Sequence, residues 1–213
     1  MNRRFVLLAI SFLLAVQANV LAQTQDLPKF EIAAEFSTLE RDGFGLRQTE
    51  PGVGVRFSFN FNRNFAVETA GYLFPRHCDI CANGGNMSQV VAGVKVGKRF
   101  EKWGIFAKAR PGVVSFSRGE FTPIFFAPLN RVEVETNRIT SFATDFGGVL
   151  EFYPSPRIVT RFDVGDTIIH FKRRTINAFL FDPITQEVRL FPIPIPARTT
   201  HNFQFIASVG FRF

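Results

Sequence analysis

Hydrophobic and polar residues alternate along most of this chain with a period of two. From Val53, the order Val-Gly-Val-Arg-Phe-Ser-Phe-Asn-Phe puts Val53, Val55, Phe57, Phe59 and Phe61 on one face and Gly54, Arg56, Ser58 and Asn60 on the other. Successive side chains of a strand point to opposite sides, so this is a strand with one greasy face. The same alternation predicts eight strands, at about 29–39, 52–61, 64–74, 88–99, 104–116, 139–153, 157–169 and 199–213, and no helix of useful length. The last of them, Phe203 to Phe213, keeps Phe, Phe, Ala, Val, Phe and Phe on one parity, with Gln, Ile, Ser, Gly and Arg on the other.

The connections alternate between short and long. Asn62-Arg63, Phe100 to Trp103 and Pro154-Ser155-Pro156 read as tight turns. Glu40 to Pro51, Pro75 to Met87, Ser117 to Arg138 and His170 to Arg198 are much longer and rich in Pro, Gly, Asn and charge. Bacterial outer-membrane barrels put short turns in the periplasm and long loops outside. The predicted fold is therefore all-β: an eight-stranded antiparallel up-and-down transmembrane β-barrel with short periplasmic turns and long extracellular loops. A soluble sandwich would explain the alternation, but it gives no reason for loops sorted by length.

Parity then assigns faces. Phe65, Val67 and Leu73 are expected to meet lipid and Glu68, Ala70 and Tyr72 the interior; Val90, Ala92, Val94 and Val96 go out, and Gln89, Gly93 and Lys95 in. Phe142, Phe146, Leu150 and Phe152 oppose Asp145, Gly147 and Glu151, while Phe162, Val164 and Ile168 oppose Arg161, Asp163, Gly165 and Thr167. Two positions break the rule. Pro111 falls inside the fifth strand, so Pro111-Gly112 is expected to form a bulge after which Val114 and Phe116 face outward. Asp166 falls on the lipid parity near the outer end of the seventh strand, where a charge costs little.

The two ends suit an exported chain. Asn2-Arg3-Arg4, the apolar run from Phe5 to Val16 and the small-residue site Val20-Leu21-Ala22 predict a secretory signal peptide over 1–22, leaving 23–213 as the barrel domain. The apolar run falls short of the ~20 residues that cross a bilayer as a helix. With 46% hydrophobic residues, the chain is as apolar as alternating strands require, and its 28 Phe against one Trp and two Tyr would make a soluble surface sticky. The net charge of +7 falls to +5 when Arg3 and Arg4 leave, since 25 bases become 23 against 18 acids. Those bases are scattered rather than gathered on one face, which argues against nucleic acid as a partner.

Eight strands enclose an interior just wide enough for side chains to fill. The inward set holds the acids Glu31, Glu35, Glu68, Asp145, Glu151 and Asp163, and the bases Arg56, Lys95, Arg99, Lys108, Arg110, Arg161 and Arg212. Nearly balanced signs favour a structural ion-pair network across neighbouring strands; a narrow gated conduit is the other reading. Only three histidines exist, His77, His170 and His201, with no Ser closely spaced to one on a strand, so no catalytic residue is assigned. An enzyme acting on outer-leaflet lipid would need one of them beside a Ser and an acid at the outer rim. Cys78 and Cys81 give too few ligands for a closed metal site, and in an exported loop they are expected to form a disulfide. No cofactor or metal is assigned. The stretches Phe121 to Phe126 and Leu190 to Pro196 combine apolar residues with proline, and the alternating Ile-Pro is expected to resist both helix and ladder.

The export signal, the strand count, the loop alternation and the terminal Phe211-Arg212-Phe213 together make the chain resemble the OmpA-like and OmpX-like small outer-membrane barrels. The resemblance covers nearly all of 23–213 and rests on architecture more than on a residue-specific motif. It implies a location in the bacterial outer membrane as a porin-like Gram-negative envelope protein; a non-enzymatic role is expected, with an outer-leaflet lipid-modifying enzyme or a narrow ion channel as the alternatives. It also implies recognition of Phe211 and Phe213 by the barrel assembly machinery, and contact with membrane lipid and lipopolysaccharide. A monomer with an unknown extracellular ligand at its loops is expected. The sequence runs out at the eighth strand, so cell-wall anchoring by an added periplasmic domain is not expected.

Overall fold

A computed structural model describes residues 28–43, 46–75, 84–126, 131–181 and 188–213. It contains ten strands: β1 (Phe30–Gly43), β2 (Leu46–Asn60), β3 (Phe65–Phe74), β4 (Gly84–Arg99), β5 (Trp103–Phe126), β6 (Arg131–Ser155), β7 (Ile158–Phe171), β8 (Arg174–Phe181), β9 (Val188–Ile195) and β10 (Arg198–Arg212). Eight of them close in the order β1-β10-β7-β6-β5-β4-β3-β2, each antiparallel to its neighbours, which is the predicted up-and-down barrel. Closure is made by β1 against β10, from Glu31 opposite Arg212 to Leu39 opposite Gln204. At its short-turn end, Phe30 N–H donates to Phe213 O and Phe213 N–H to Phe30 O, both at 2.9 Å.

The strands reach further than alternation alone suggests. β5 and β6 are 24 and 25 residues long and continue as a hairpin through the region expected to be the third loop. In the fourth loop, β8 and β9 pair as a separate two-stranded sheet, so the expected resistance of Ile-Pro to a ladder does not hold. Pro192 and Pro194 lie two apart, on one side of β9, opposite Asn177 and Thr175. A two-stranded ladder leaves alternate N–H positions without a partner strand, and there a proline removes nothing.

The bulge expected at Pro111-Gly112 is also absent. On the β6 side, Arg110–Asp145, Pro111–Thr144 and Gly112–Ala143 pair without a shift. On the β4 side, Val91–Gly112 and Val94–Ala109 keep one register, and the ladder skips only the two pairs between them. Gly93 lies at that gap, and a Cβ there would sit 2.1 Å from Ala109 O, so the glycine lets the proline-bearing strand close in without a slip. Parity therefore runs straight through. Val113 is exposed, while Val114 and Phe116 turn inward and are fully buried.

The outside of the wall is apolar all round, with Val55 65% exposed and Leu73, Val90, Ile105, Phe146, Val164 and Val209 also exposed. Soluble monomers rarely carry a contiguous apolar surface of that extent. At the short-turn end the rings gather into a girdle: Phe30 lies 5.2 Å from Phe59 and 5.7 Å from Phe213, Phe59 meets Phe61 edge-on at 4.7 Å, and Phe100 stacks on Trp103 at 4.2 Å. Aromatic girdles of this kind mark the membrane interface of a barrel.

Candidate functional site

The inward positions of the wall converge on the barrel axis, and all thirteen charges expected there are buried. Glu68 is the hub. Arg161 grips it with Nη1 on Oε1 at 2.5 Å and Nη2 on Oε2 at 3.1 Å, and Lys95, Arg56 and Arg110 stand 3.3, 3.6 and 3.8 Å from it. Arg161 also forks onto Asp163, at 2.5 and 2.7 Å. Lys108 bridges Asp145 and Asp163, at 3.0 and 3.1 Å, and Arg110 is paired with Asp145. Lys95 pairs with Glu151, and Arg99 lies 3.3 Å from both Glu31 and Glu151. Arg56 Nε donates to Glu35 at 2.8 Å, and the Tyr72 hydroxyl donates to the other oxygen of the same carboxylate at 2.5 Å.

The network is neutral as a whole. Glu31, Glu35, Glu68, Asp145, Glu151 and Asp163 contribute six negative charges; Arg56, Lys95, Arg99, Lys108, Arg110 and Arg161 contribute six positive ones. Neutrality with short contacts is the condition under which charges persist away from water. Arg212 lies at the edge, donating to Ser155 O at 3.1 Å with its guanidinium 4.4 Å from the Tyr153 ring centre. Tyr153 is a member that alternation did not single out. It accepts from Arg99 Nε at 2.8 Å and donates to Glu151 at 2.7 Å.

Toward the long-loop end the filling changes character. Leu39, Tyr72, Phe74, Met87, Val91, Val114, Phe116, Ala143, Ile169 and Ile206 form a buried apolar cluster on the inside of the wall. Gln204 bridges Ser37 and Gln89 at 2.9 and 3.2 Å beside it. The interior is thus filled twice, by a charged layer and by an apolar layer nearer the loops. The second layer was hidden by the outward assignment of Val114 and Phe116, the two positions that the expected bulge displaced.

The outer rim carries the described histidines. His201 Nδ1 lies 2.6 Å from Asp166 Oδ2, and Asp166 Oδ1 accepts from Asn202 N–H at 2.8 Å. His170 Nδ1 lies 3.1 Å from Thr199 Oγ1, and its ring stacks on Phe142 at 5.8 Å. Both histidines are exposed on the outer face of the wall. Among the described residues no serine hydroxyl bonds to either ring, so the His, Ser and acid grouping required of a lipid-modifying enzyme is not assembled there. His77, Cys78 and Cys81 lie outside the described residues.

Among solved structures, the chain is similar to Neisserial surface protein A, with 10% identity and a TM-score of 0.51 over 87% of this chain and 97% of that one. This is the fold of the small eight-stranded outer-membrane barrels. The attachment invasion locus protein of Yersinia pestis, in complex with the heparin analogue sucrose octasulfate, also matches, with 14% identity and a TM-score of 0.46 over 86% and 96% of the two chains. The N-terminal β-barrel domain of Pseudomonas aeruginosa OprF matches with 10% identity and a TM-score of 0.45 over 89% and 100%. No family profile and no curated protein matches the sequence.

Proposed function

We propose that the protein is an integral, non-enzymatic barrel of the bacterial outer membrane, exported by a cleaved signal over 1–22, whose role in envelope integrity or surface interaction is exercised through its extracellular loops. The observation that carries this reading is the double filling of the interior. A neutral network of paired charges under a layer of Leu39, Phe74, Met87, Val114 and Phe116 leaves side chains where a conduit would need water. The wall's rigidity is then spent on holding loops up rather than on transport. The hairpin of β5 and β6 supports the same reading, since it runs about ten residues beyond Phe116, or roughly 30 Å of strand. β8 lies beside β5. Phe211 and Phe213 are proposed as the signal read by the barrel assembly machinery, and the wall as the surface that meets lipid and lipopolysaccharide.

The test is to extract the protein from outer membranes in detergent, compare its gel migration with and without boiling, and record planar-bilayer conductance. Heat-modifiable migration with a silent bilayer is expected. Steady single-channel steps would overturn the closed-interior reading, and recovery of the chain in a soluble fraction would overturn the membrane reading.

A further inference from the structure

The outer end of the β1–β10 seam is split. Pairing between the two strands stops at Leu39 and Gln204, although β1 continues to Gly43 on β2 and β10 starts back at Arg198 on β7. Above Leu39 the wall becomes two flaps, each held from one side only. A cleft of about 560 Å3 lies there, with Glu40 on one flap, Arg198, Thr199 and His201 on the other, and Asp166 and Phe203 beside them. Arg198 is exposed at the rim with its guanidinium 5.9 Å from the centre of the Phe171 ring, and His201, held by Asp166, keeps its second ring nitrogen for a ligand.

Lower on the same seam lies a second hollow, of about 520 Å3, on the lipid-facing side. Ala34 and Ala207 make its floor, because Ala207 sits directly between Phe36 of β1 and Phe162 of β7 and is dwarfed by both. From His201 to Ala207 is six residues, about 20 Å of strand, and at a tilt of about 40° this descends roughly 15 Å, half of a ~30 Å hydrocarbon core. The two hollows therefore stand one leaflet apart in depth.

We infer that this seam binds one phosphorylated glycolipid of the outer leaflet, its headgroup in the cleft and an acyl chain in the Ala34–Ala207 hollow. The inference rests on the outer-membrane reading proposed above. The lower hollow opens onto hydrocarbon, so its occupant is an acyl chain. The cleft joins two arginines, Arg41 and Arg198, to a histidine and two carboxylates, which suits a headgroup bearing both phosphate and hydroxyls better than it suits a bare anion. Arg198 takes the phosphate, a charge-assisted contact, while His201 and the carboxylates meet sugar hydroxyls.

The experiment uses the protein produced from its full-length gene, extracted from membranes, exchanged into micelles containing lipid A and examined by native mass spectrometry. The wild type is expected to retain one lipid A. Arg198→Gln and Ala207→Phe should each lower the retained fraction about tenfold, the loss of one good contact. Val90→Phe, on the diametrically opposite strand of the wall, should leave it unchanged. Retention that survives either seam substitution, or displacement of the lipid by inorganic phosphate, overturns the inference while leaving the barrel standing. Failure of the wild type to show heat-modifiable migration removes the membrane reading and this inference together.

Discussion

Replacing Glu68 by glutamine keeps the shape of the hub and removes its charge. Glu68 is 1% exposed and lies within 3.8 Å of Arg161, Lys95, Arg56 and Arg110. The interior then holds six bases against five acids, and four cations lose the anion that separates them. Breaking a buried pair by removing one partner costs ~3 to 5 kcal/mol, because a charge is left without compensation. With a urea dependence of ~3 kcal/mol per molar, the unfolding midpoint should fall by roughly 1 to 1.7 M. Band intensity of the heat-modifiable form across a urea series reads this directly. Lys95→Met in the same chain restores equal numbers, five of each, and should recover much of the loss, giving a coupling energy above ~1 kcal/mol in the double-mutant cycle. A midpoint that hardly moves in Glu68→Gln, or a double variant weaker than the sum of the two singles, would refute the neutral-network argument.

Phe116→Ala, which empties part of the apolar layer, is expected to cost ~3 to 5 kcal/mol in the same urea series; a neutral result would mean that Phe116 does not pack inward. Val55→Lys, on the exposed middle of β2, should cost ~2 to 4 kcal/mol in bilayers, and tolerance there in lipid vesicles would contradict the lipid-facing assignment. Gly93→Ala drives a methyl group onto Ala109 O and should lower the yield of folded barrel, whereas Gly148→Ala, with open space around its position, should not; the heat-modifiable fraction compares them. Phe213→Ala should reduce outer-membrane insertion in cells more than refolding in micelles, since it removes a proposed recognition residue as well as a ring of the girdle.

The barrel was legible because one rule, alternation, governs every strand that has lipid on one side and a crowded interior on the other. Parity located Glu68, Lys95, Lys108, Arg110, Asp145, Glu151, Arg161 and Asp163 on the inside, where their contacts are found. It could not say which acid meets which base, because that depends on the register of strands far apart in sequence: Glu68 and Arg161 are 93 positions apart. The structure departs from the expectation where a local residue competes with the period. Pro111 points to a slip, but the close approach permitted by Gly93 absorbs it, and Val114 and Phe116 keep the inward face rather than the outward one. Pro192 and Pro194 argued against any ladder, yet their spacing of two is what a two-stranded sheet tolerates. The pairing of His201 with Asp166 joins β10 to β7 at the rim, and no pattern within either strand announces it.

The reciprocal bonds between Phe30 and Phe213 bear on the order of assembly. Each hairpin joins neighbours in the sequence, but the seam joins residues 183 positions apart, 213 less 30. Closing a loop of that length in a loose chain costs about 3 kcal/mol more than closing one of a few residues. That penalty vanishes if the other seven ladders form first and carry β1 and β10 to each other as the edges of a curling sheet. Until they meet, both edges expose unpaired N–H and C=O groups, which hydrocarbon does not tolerate. The seam is therefore expected to zip last, beginning at the aromatic end and running toward the split above Leu39, and an assembly factor that shelters one free edge would act on β1 or β10 rather than on any other strand of the wall.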